Sequence, residues 1–217
     1  MRPYSYSRWG TYKGCPRKFK LAYRDRIARP PPGGAAERGL RVHASIEDFL
    51  NGESSFLDEA VDKKQYLPYF SDLKDRGAIP EAKFSFNNQW DPCGWEDEEC
   101  YFRGLWDIHL AEDDQLNVWE LKTGKQYDDH VFQRDLYGPA ALLQYPQYET
   151  VTVTNVYLDQ GFNTGGIYEK KNIVEYLDTW DKRIQRIESD ELFIPAPSYA
   201  CRWCPYSRHN GSTHCEF

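Results

Sequence analysis

Residues Val118–Lys125 read VWELKTGK, and the fold turns on how that stretch is placed. Val118, Trp119 and Leu121 give it the apolar composition of a strand, yet Glu120 and Lys122 stand inside it. Side chains two apart on a strand share a face. A strand therefore sets this acid and base side by side and turns Trp119 and Leu121 the other way. At the surface such a pair would be an ordinary ion pair. In an apolar strand it is half-buried or more, and burying two charges is costly unless they serve something.

The stretch upstream, GLWDIHL (Gly104–Leu110), alternates in the same way. Leu105, Asp107 and His109 take one side, and Trp106, Ile108 and Leu110 the other. Asp is disfavoured inside strands, so Asp107 is as conspicuous as Glu120. If the two strands are neighbours, Asp107 and Glu120 converge. Two carboxylates on one face suit a hard divalent cation that keeps several waters. Lys122 beside them is placed to orient an attacking water and to stabilise charge growing on a phosphate. Metal-assisted phosphodiester hydrolysis needs this set of parts.

The pattern on either side predicts the remaining elements. SYSRWGTYKGCPRKFKLAYRD reads as helix with Ser5 or Ser7 as N-cap, Trp9, Tyr12, Phe19 and Tyr23 at helical spacing, and a break at Gly14 and Pro16. ARPPPGG is a stiff connector. AAERGLRVHASIEDFLNG is a helix closed by Gly52, and residues 55–76 form a third helical region. EAKFSFNNQW, YFRGLWDIHLAE and QLNVWELKTGK then alternate as half-buried strands do. DDHVFQRDLYGPAALLQYP is helical, TVTVTNVYLDQG is a strand, and NIVEYLDTWDKRIQRIES is a helix with Ile173, Leu177, Trp180, Ile184 and Ile187 along one side. The order predicts one α/β domain over residues 1–217 with a mixed central sheet and helices packed on it. Within it, 1–41 is a basic helical arm, 81–190 a catalytic core and 197–217 a Cys-rich tail.

Composition narrows the classes. Hydrophobic residues are 40% of the 217 and aromatics 16%, which is globular and not disordered. No long uncharged apolar run is present, so no membrane partner is expected, and the opening residues lack the apolar core of a signal peptide. The expectation is a cytoplasmic protein. The net charge of −7 is unevenly spread. Residues 1–41 hold eleven Lys and Arg, Arg17, Lys18 and Lys20 among them, against Asp25 and Glu37, a balance of +9 that leaves −16 for the rest. A basic arm on an acidic body can guide a polyanion to carboxylates that need cations.

Six cysteines are present. Cys93 and Cys100 lie in the polar stretch DPCGWEDEEC and read as free loop thiols. Cys201 and Cys204 form a turn-sized chelating pair, Cys215 adds a third thiolate and Cys15 a fourth from the far end of the chain. Thiolates in such a set hold zinc or an iron–sulfur cluster. His209 and His214, between Cys204 and Cys215, keep a Cys₃His zinc site open.

GLWD followed by ELKTGK resembles the PD-(D/E)XK nuclease superfamily, in which an Asp and then a (Glu/Asp)-x-Lys form the metal site. GLRVH (Gly39–His43) is similar to the Gly-x-x-x-His helix motif of its RecB-like branch, and QRDLY (Gln133–Tyr137) to that branch's Gln-x-x-x-Tyr motif. SYSRWGTYKGCPRKFKLAY looks like its usual opening. IPEAKFSF matches the upstream Glu position, here Glu81. The resemblance runs from Ser5 to Cys215 and extends to CRISPR-associated and AddB-type nucleases and small phage exonucleases. It implies a restriction-endonuclease-like core. It implies Mg²⁺ or Mn²⁺ held by His43, Asp107, Glu120 and the Leu121 carbonyl, with Asp107, Glu120 and Lys122 catalytic. It also implies supporting or DNA-binding roles for Gln133, Tyr137, Arg17, Lys18, Lys20, Glu81 and Lys125. Its cysteine layout, one before the core and three after, implies a 4Fe–4S cluster on Cys15, Cys201, Cys204 and Cys215, with structural Zn²⁺ as the alternative. The ten residues between Cys204 and Cys215 are a wider gap than the family's usual one. The expected function is a DNA exonuclease acting on single-stranded or duplex ends in recombination, repair or replication, with a recombination or replication protein as partner. The rival is a non-catalytic DNA-end-binding or adaptor protein that keeps the fold.

Overall fold

The alternating stretches form three strands, β1 (Ile79–Phe86), β2 (Phe102–Glu112) and β3 (Gln115–Lys122), in a computed structural model that describes residues 3–29 and 33–217. β1 pairs antiparallel with β2, and β2 with β3. The chain then crosses over through α5 (His130–Gln144) to β4 (Thr150–Tyr157), which lies parallel to β3. β5 (Phe162–Glu169) returns antiparallel, giving the sheet order β1-β2-β3-β4-β5. A parallel neighbour needs a crossover of this length. The expected α/β fold with a mixed sheet flanked by helices is what the chain forms, and it accords with a restriction-endonuclease-like core.

The strand β5 departs from the expectation of a single strand after the helix. Its alternation is interrupted by Gly165 and Gly166, which offer no side chain for a pattern. The helix expected over 55–76 is shorter than read. Asp62 caps α4 (Lys63–Asp75) by accepting from the amides of Lys64 and Gln65, and 55–62 is a loop. The helix α5 continues through Pro139 without a break. The prolines 30–32 of the expected stiff connector lie outside the described residues.

Two compact units divide the chain, 33–178 and 1–32 with 179–217. In the first, Val42, Ile46 and Phe49 of α3 (Ala35–Asn51) and Tyr66 and Phe70 of α4 pack with Ile108, Leu110, Leu121 and Val156 of the sheet. The helix α5 lies against β3, β4 and β5 on the other face. In the second, Ser5 caps α1 (Tyr6–Gly14) through the Arg8 amide, and Cys15 ends it and begins α2 (Pro16–Phe19). The apolar side of α6 (Ile173–Ser189) is buried at Trp180, Ile184 and Ile187. Trp9 meets Trp180 edge to face at 5.2 Å, and Phe19 stacks on Phe193 at 6.1 Å. Among the described residues no helix is long and apolar enough to cross a membrane.

Candidate active site

The ladder between β1 and β2 pairs Pro80 with Ile108 and Ala82 with Trp106, and lapses between them, where Glu81 stands opposite Asp107. Glu81 has a φ of +48°, in the left-handed region that side chains other than glycine rarely adopt. Between β2 and β3 the last pair is Ile108 with Trp119. One step further Asp107 faces β3 with its side chain: Oδ2 accepts the Leu121 amide at 2.6 Å, in place of a backbone carbonyl. Oδ1 lies 3.3 Å from His43 Nδ1 on α3. His43 reaches this position because Gly39, one turn earlier on the same face, brings α3 against the end of β3. A Cβ at Gly39 would stand 3.1 Å from Thr123 Oγ1.

His43, Glu81 and Asp107 each offer a ligand atom, and these atoms all lie within 4.8 Å of one another. One imidazole and two carboxylates are the donors of a hard divalent cation. The electrostatics agree. Burial, then the Asp107 and Glu47 charges, push the Glu81 carboxyl up, partly offset by His43. Burial alone would lower His43, but the Asp107 bond and the Asp107, Glu120 and Glu81 charges outweigh it and raise the imidazole. This is a crowded anionic site that a cation would relieve.

Beside it Glu120 is buried (7% exposed). Its Oε1 accepts from Lys122 Nζ at 2.8 Å, so the acid and base of VWELKTGK do share a face. Burial, then the Asp107 charge, hold the Glu120 carboxyl above its usual range, with Lys122 pulling it back. The ammonium is fixed from its other side by Gln133 Oε1 of α5 at 2.7 Å, and Gln133 Nε2 donates to the Tyr137 hydroxyl at 2.9 Å. The chain Glu120–Lys122–Gln133–Tyr137 thus orients the lysine from sheet and helix together.

A family model matches residues 3–209, nearly the whole chain. The chain belongs to the PD-(D/E)XK nuclease superfamily. Membership in this superfamily makes it a metal-dependent nuclease with DNA as the implied substrate. Among solved structures, a candidate exonuclease from Eubacterium rectale is 13% identical with a TM-score of 0.51, over 96% of this chain and 88% of that one. The protein SSO0001 is 15% identical with a TM-score of 0.46, over 94% and 83%. No curated protein matches the chain. The first of these structures shares the fold of this chain.

The other expected residues fall in two places. In the PD-(D/E)XK sheet unit, Lys125 is exposed just past β3, in a turn made by Gly124 at a φ of +96°. The Gly124 amide donates to Asp159 Oδ2 at 2.8 Å. Arg17, Lys18 and Lys20 lie in the other unit, where Lys20 pairs with Asp25 at 3.1 Å. That unit also holds Cys15, Cys201, Cys204 and Cys215, all free thiols lining one cavity of about 120 Å³. Cys15 Sγ accepts the amides of Lys18 and Ala196, each at 3.5 Å, and Cys201 Sγ that of Ser198 at 3.4 Å. Among the described residues no three of these thiols come within the 4.8 Å reached by His43, Glu81 and Asp107. Cys93 and Cys100 are free, and Cys100 is buried.

Sequence reasoning missed His130, whose Nδ1 lies 3.0 Å from the Tyr157 hydroxyl. Burial, then the Lys122 charge, lower it to about 4, so it is neutral near the lysine. It also missed Asp159, which ties α3 to the turn after β3 by two bonds from Arg38 at 2.7 and 2.9 Å. No motif marked either residue; their placement depends on chain distant in sequence.

Proposed function

We propose that the protein is a Mg²⁺- or Mn²⁺-dependent deoxyribonuclease of the RecB-like branch, acting as an exonuclease at DNA ends in recombination, repair or replication. The observation that carries the reading is the approach of His43, Glu81 and Asp107 to within 4.8 Å, beside a Lys122 fixed at both sides. In this reading His43, Glu81, Asp107 and Glu120, with the Leu121 carbonyl, hold the cation. The donor set fits, and the crowding of carboxylates supplies the attraction. A divalent cation here stabilises charge on the phosphate and lowers the pKa of water. Asp107 spans His43 and the Leu121 amide and fixes the β2–β3 junction. Lys122, held by Glu120 and Gln133, presents a positive charge toward the water and the developing phosphate charge without having to reorganise. Glu120 keeps that lysine directed. The Eubacterium rectale structure, described as a candidate exonuclease, is in line with action at ends.

The cluster belongs to the same reading. A 4Fe–4S cluster on Cys15, Cys201, Cys204 and Cys215 is favoured by their common cavity and by amides directed at two sulfurs. A single tetrahedral zinc, with bonds of about 2.3 Å, would draw its sulfurs to about 3.8 Å apart. Among the described residues no three of the thiols lie within 4.8 Å of one another, which favours the larger cluster in this reading.

The test is an anaerobic preparation assayed with Mg²⁺ or Mn²⁺ on end-labelled linear and closed-circular DNA. The reading expects a brown, iron-containing protein that degrades the linear DNA only. Cleavage of the circle at an equal rate would overturn the exonuclease assignment. A colourless protein with stoichiometric zinc would overturn the cluster.

A further inference from the structure

The unit formed by 1–32 and 179–217 carries an exposed aromatic and basic surface of its own. Trp203 is 67% exposed and Tyr199 66%, although an indole is highly buried on average. They meet edge to face at 4.8 Å, and Arg202 lies over the Tyr199 ring at 4.6 Å. Trp203 also walls a hollow of about 360 Å³ together with Lys18, Arg29, Pro205 and Asn210. Two of these residues are held in place. Arg29 donates to the Tyr206 hydroxyl at 3.3 Å. Asn210 Nδ2 donates to the carbonyls of Arg202 and Cys204 at 3.0 and 2.9 Å, which fixes the turn that displays the indole. The hollow has one flat aromatic wall and two cations.

Charge says what it would take. This unit holds fourteen Lys and Arg against six Asp and Glu, and the sheet unit thirteen against twenty-eight. A polyanion is drawn to the first and repelled by the second in the absence of cations. We propose that the hollow binds single-stranded DNA, with a base stacked on Trp203 and adjoining phosphates on Lys18 and Arg29. A base offers its face to an indole only when it is free of its own stack, which selects a single strand over a duplex. The ligand class rests on the nuclease reading; the site does not depend on catalysis.

The test uses full-length protein in excess chelator, so that nothing is cleaved, and measures binding of labelled oligothymidine and of a blunt duplex. Wild type should prefer the single strand. Both Trp203→Ala and Trp203→Leu should weaken single-strand binding about tenfold, and Trp203→Phe should retain most of it. Lys18→Ala should flatten the salt dependence by about 0.7 in the log–log slope, one phosphate's worth on a single strand. Folding of each variant is checked by melting. Unchanged binding in folded Trp203→Leu, or equal weakening in Trp203→Phe, overturns the site. If wild type still cleaves DNA in that event, the nuclease reading survives it. If wild type binds through Trp203 but never cleaves, the site stands and the nuclease reading falls.

A second observation stands on its own inside the sheet. Asn155 of β4 is fully buried, and neither its Oδ1 nor its Nδ2 has a protein partner. Its register partner on β3 is Glu120, whose buried Oε2 is equally without one. Buried polar groups left unpaired are destabilising, and two of them at paired positions point to a single link. We infer that Asn155 is a positioning residue whose amide holds Glu120 Oε2 through one buried water, and so keeps Oε1 on Lys122. Asn155→Thr and Asn155→Val are nearly isosteric, and only the threonine has a hydroxyl to take over that link. Calorimetric titration with Mn²⁺ alone should show affinity about tenfold weaker in Asn155→Val and largely kept in Asn155→Thr. Wild-type affinity in Asn155→Val, or an equal loss in both variants, overturns the inference.

Discussion

At the scale of the residue, the proposed site lies where the strand geometry is least regular. Glu81 holds a φ of +48°, and such strain persists only where surrounding structure enforces it. The lapse it makes in the β1–β2 ladder frees Asp107 to use its side chain on Leu121 and His43. Asp107→Ala, Glu120→Ala and Lys122→Ala should each reduce cleavage by about a hundredfold or more. Double variants should be little worse than singles, because the groups act as a unit. Initial rates on labelled DNA, with melting curves to show that the variants fold, check this; a fully active Lys122→Ala would remove the lysine from the mechanism. Much of the constellation was legible, because Asp107, Glu120 and Lys122 are charged residues where a strand pattern wants apolar ones. Glu81 was legible only as a supporting position. Its approach to His43 depends on the register of β1 against β2, which no local pattern carries.

At the scale of the element, α3 delivers His43, and two contacts set where α3 lies. Gly39 lets it approach Thr123. Gly39→Val should move the helix off the end of β3 and reduce cleavage about tenfold or more, a displacement effect on positioning. Unaltered rates in a folded Gly39→Val would show that this approach is not needed. The Arg38–Asp159 pair ties the same helix to the turn at Gly124. The Arg38 bond, against some burial, holds the Asp159 carboxyl below its usual value. Its stabilisation is therefore present above the unfolded carboxylate pKa of about 3.9 and lost as pH falls through the lower folded value. Both side chains are about one-third exposed, so solvent screening limits the effect to about 1 kcal/mol. Asp159→Asn should lower stability by about that amount at neutral pH and by progressively less below pH of about 4; denaturant unfolding at both pH values measures it. The elements that escaped the sequence did so for physical reasons. The strand β5 contains Gly165 and Gly166 and so lacks an alternating pattern. Residues 55–62 share the composition of the helix that follows, but the Asp62 cap starts that helix later.

At the scale of the whole molecule, charge and metal chemistry are divided between two units. The unit with the thiols and Trp203 is basic, and the one with His43, Glu81, Asp107 and Glu120 is strongly acidic. Reversing Arg17 and Lys18 to Glu should weaken DNA binding and flatten its salt dependence, since fewer counterions are released. Metal binding should be unchanged. An unaltered salt slope, read by binding at several salt concentrations, would leave this segment a solvated face. The central claim is that His43, Glu81 and Asp107 converge to hold the cation on which cleavage depends. Titration of Mn²⁺ into anaerobically prepared protein, followed by calorimetry in wild type, Glu81→Ala, Asp107→Ala and Gln133→Ala, tests it most directly. Saturable binding in wild type and Gln133→Ala, lost or much weakened in Glu81→Ala and Asp107→Ala, is the predicted result. Absence of binding in wild type, or equal affinity in all four proteins, would contradict it.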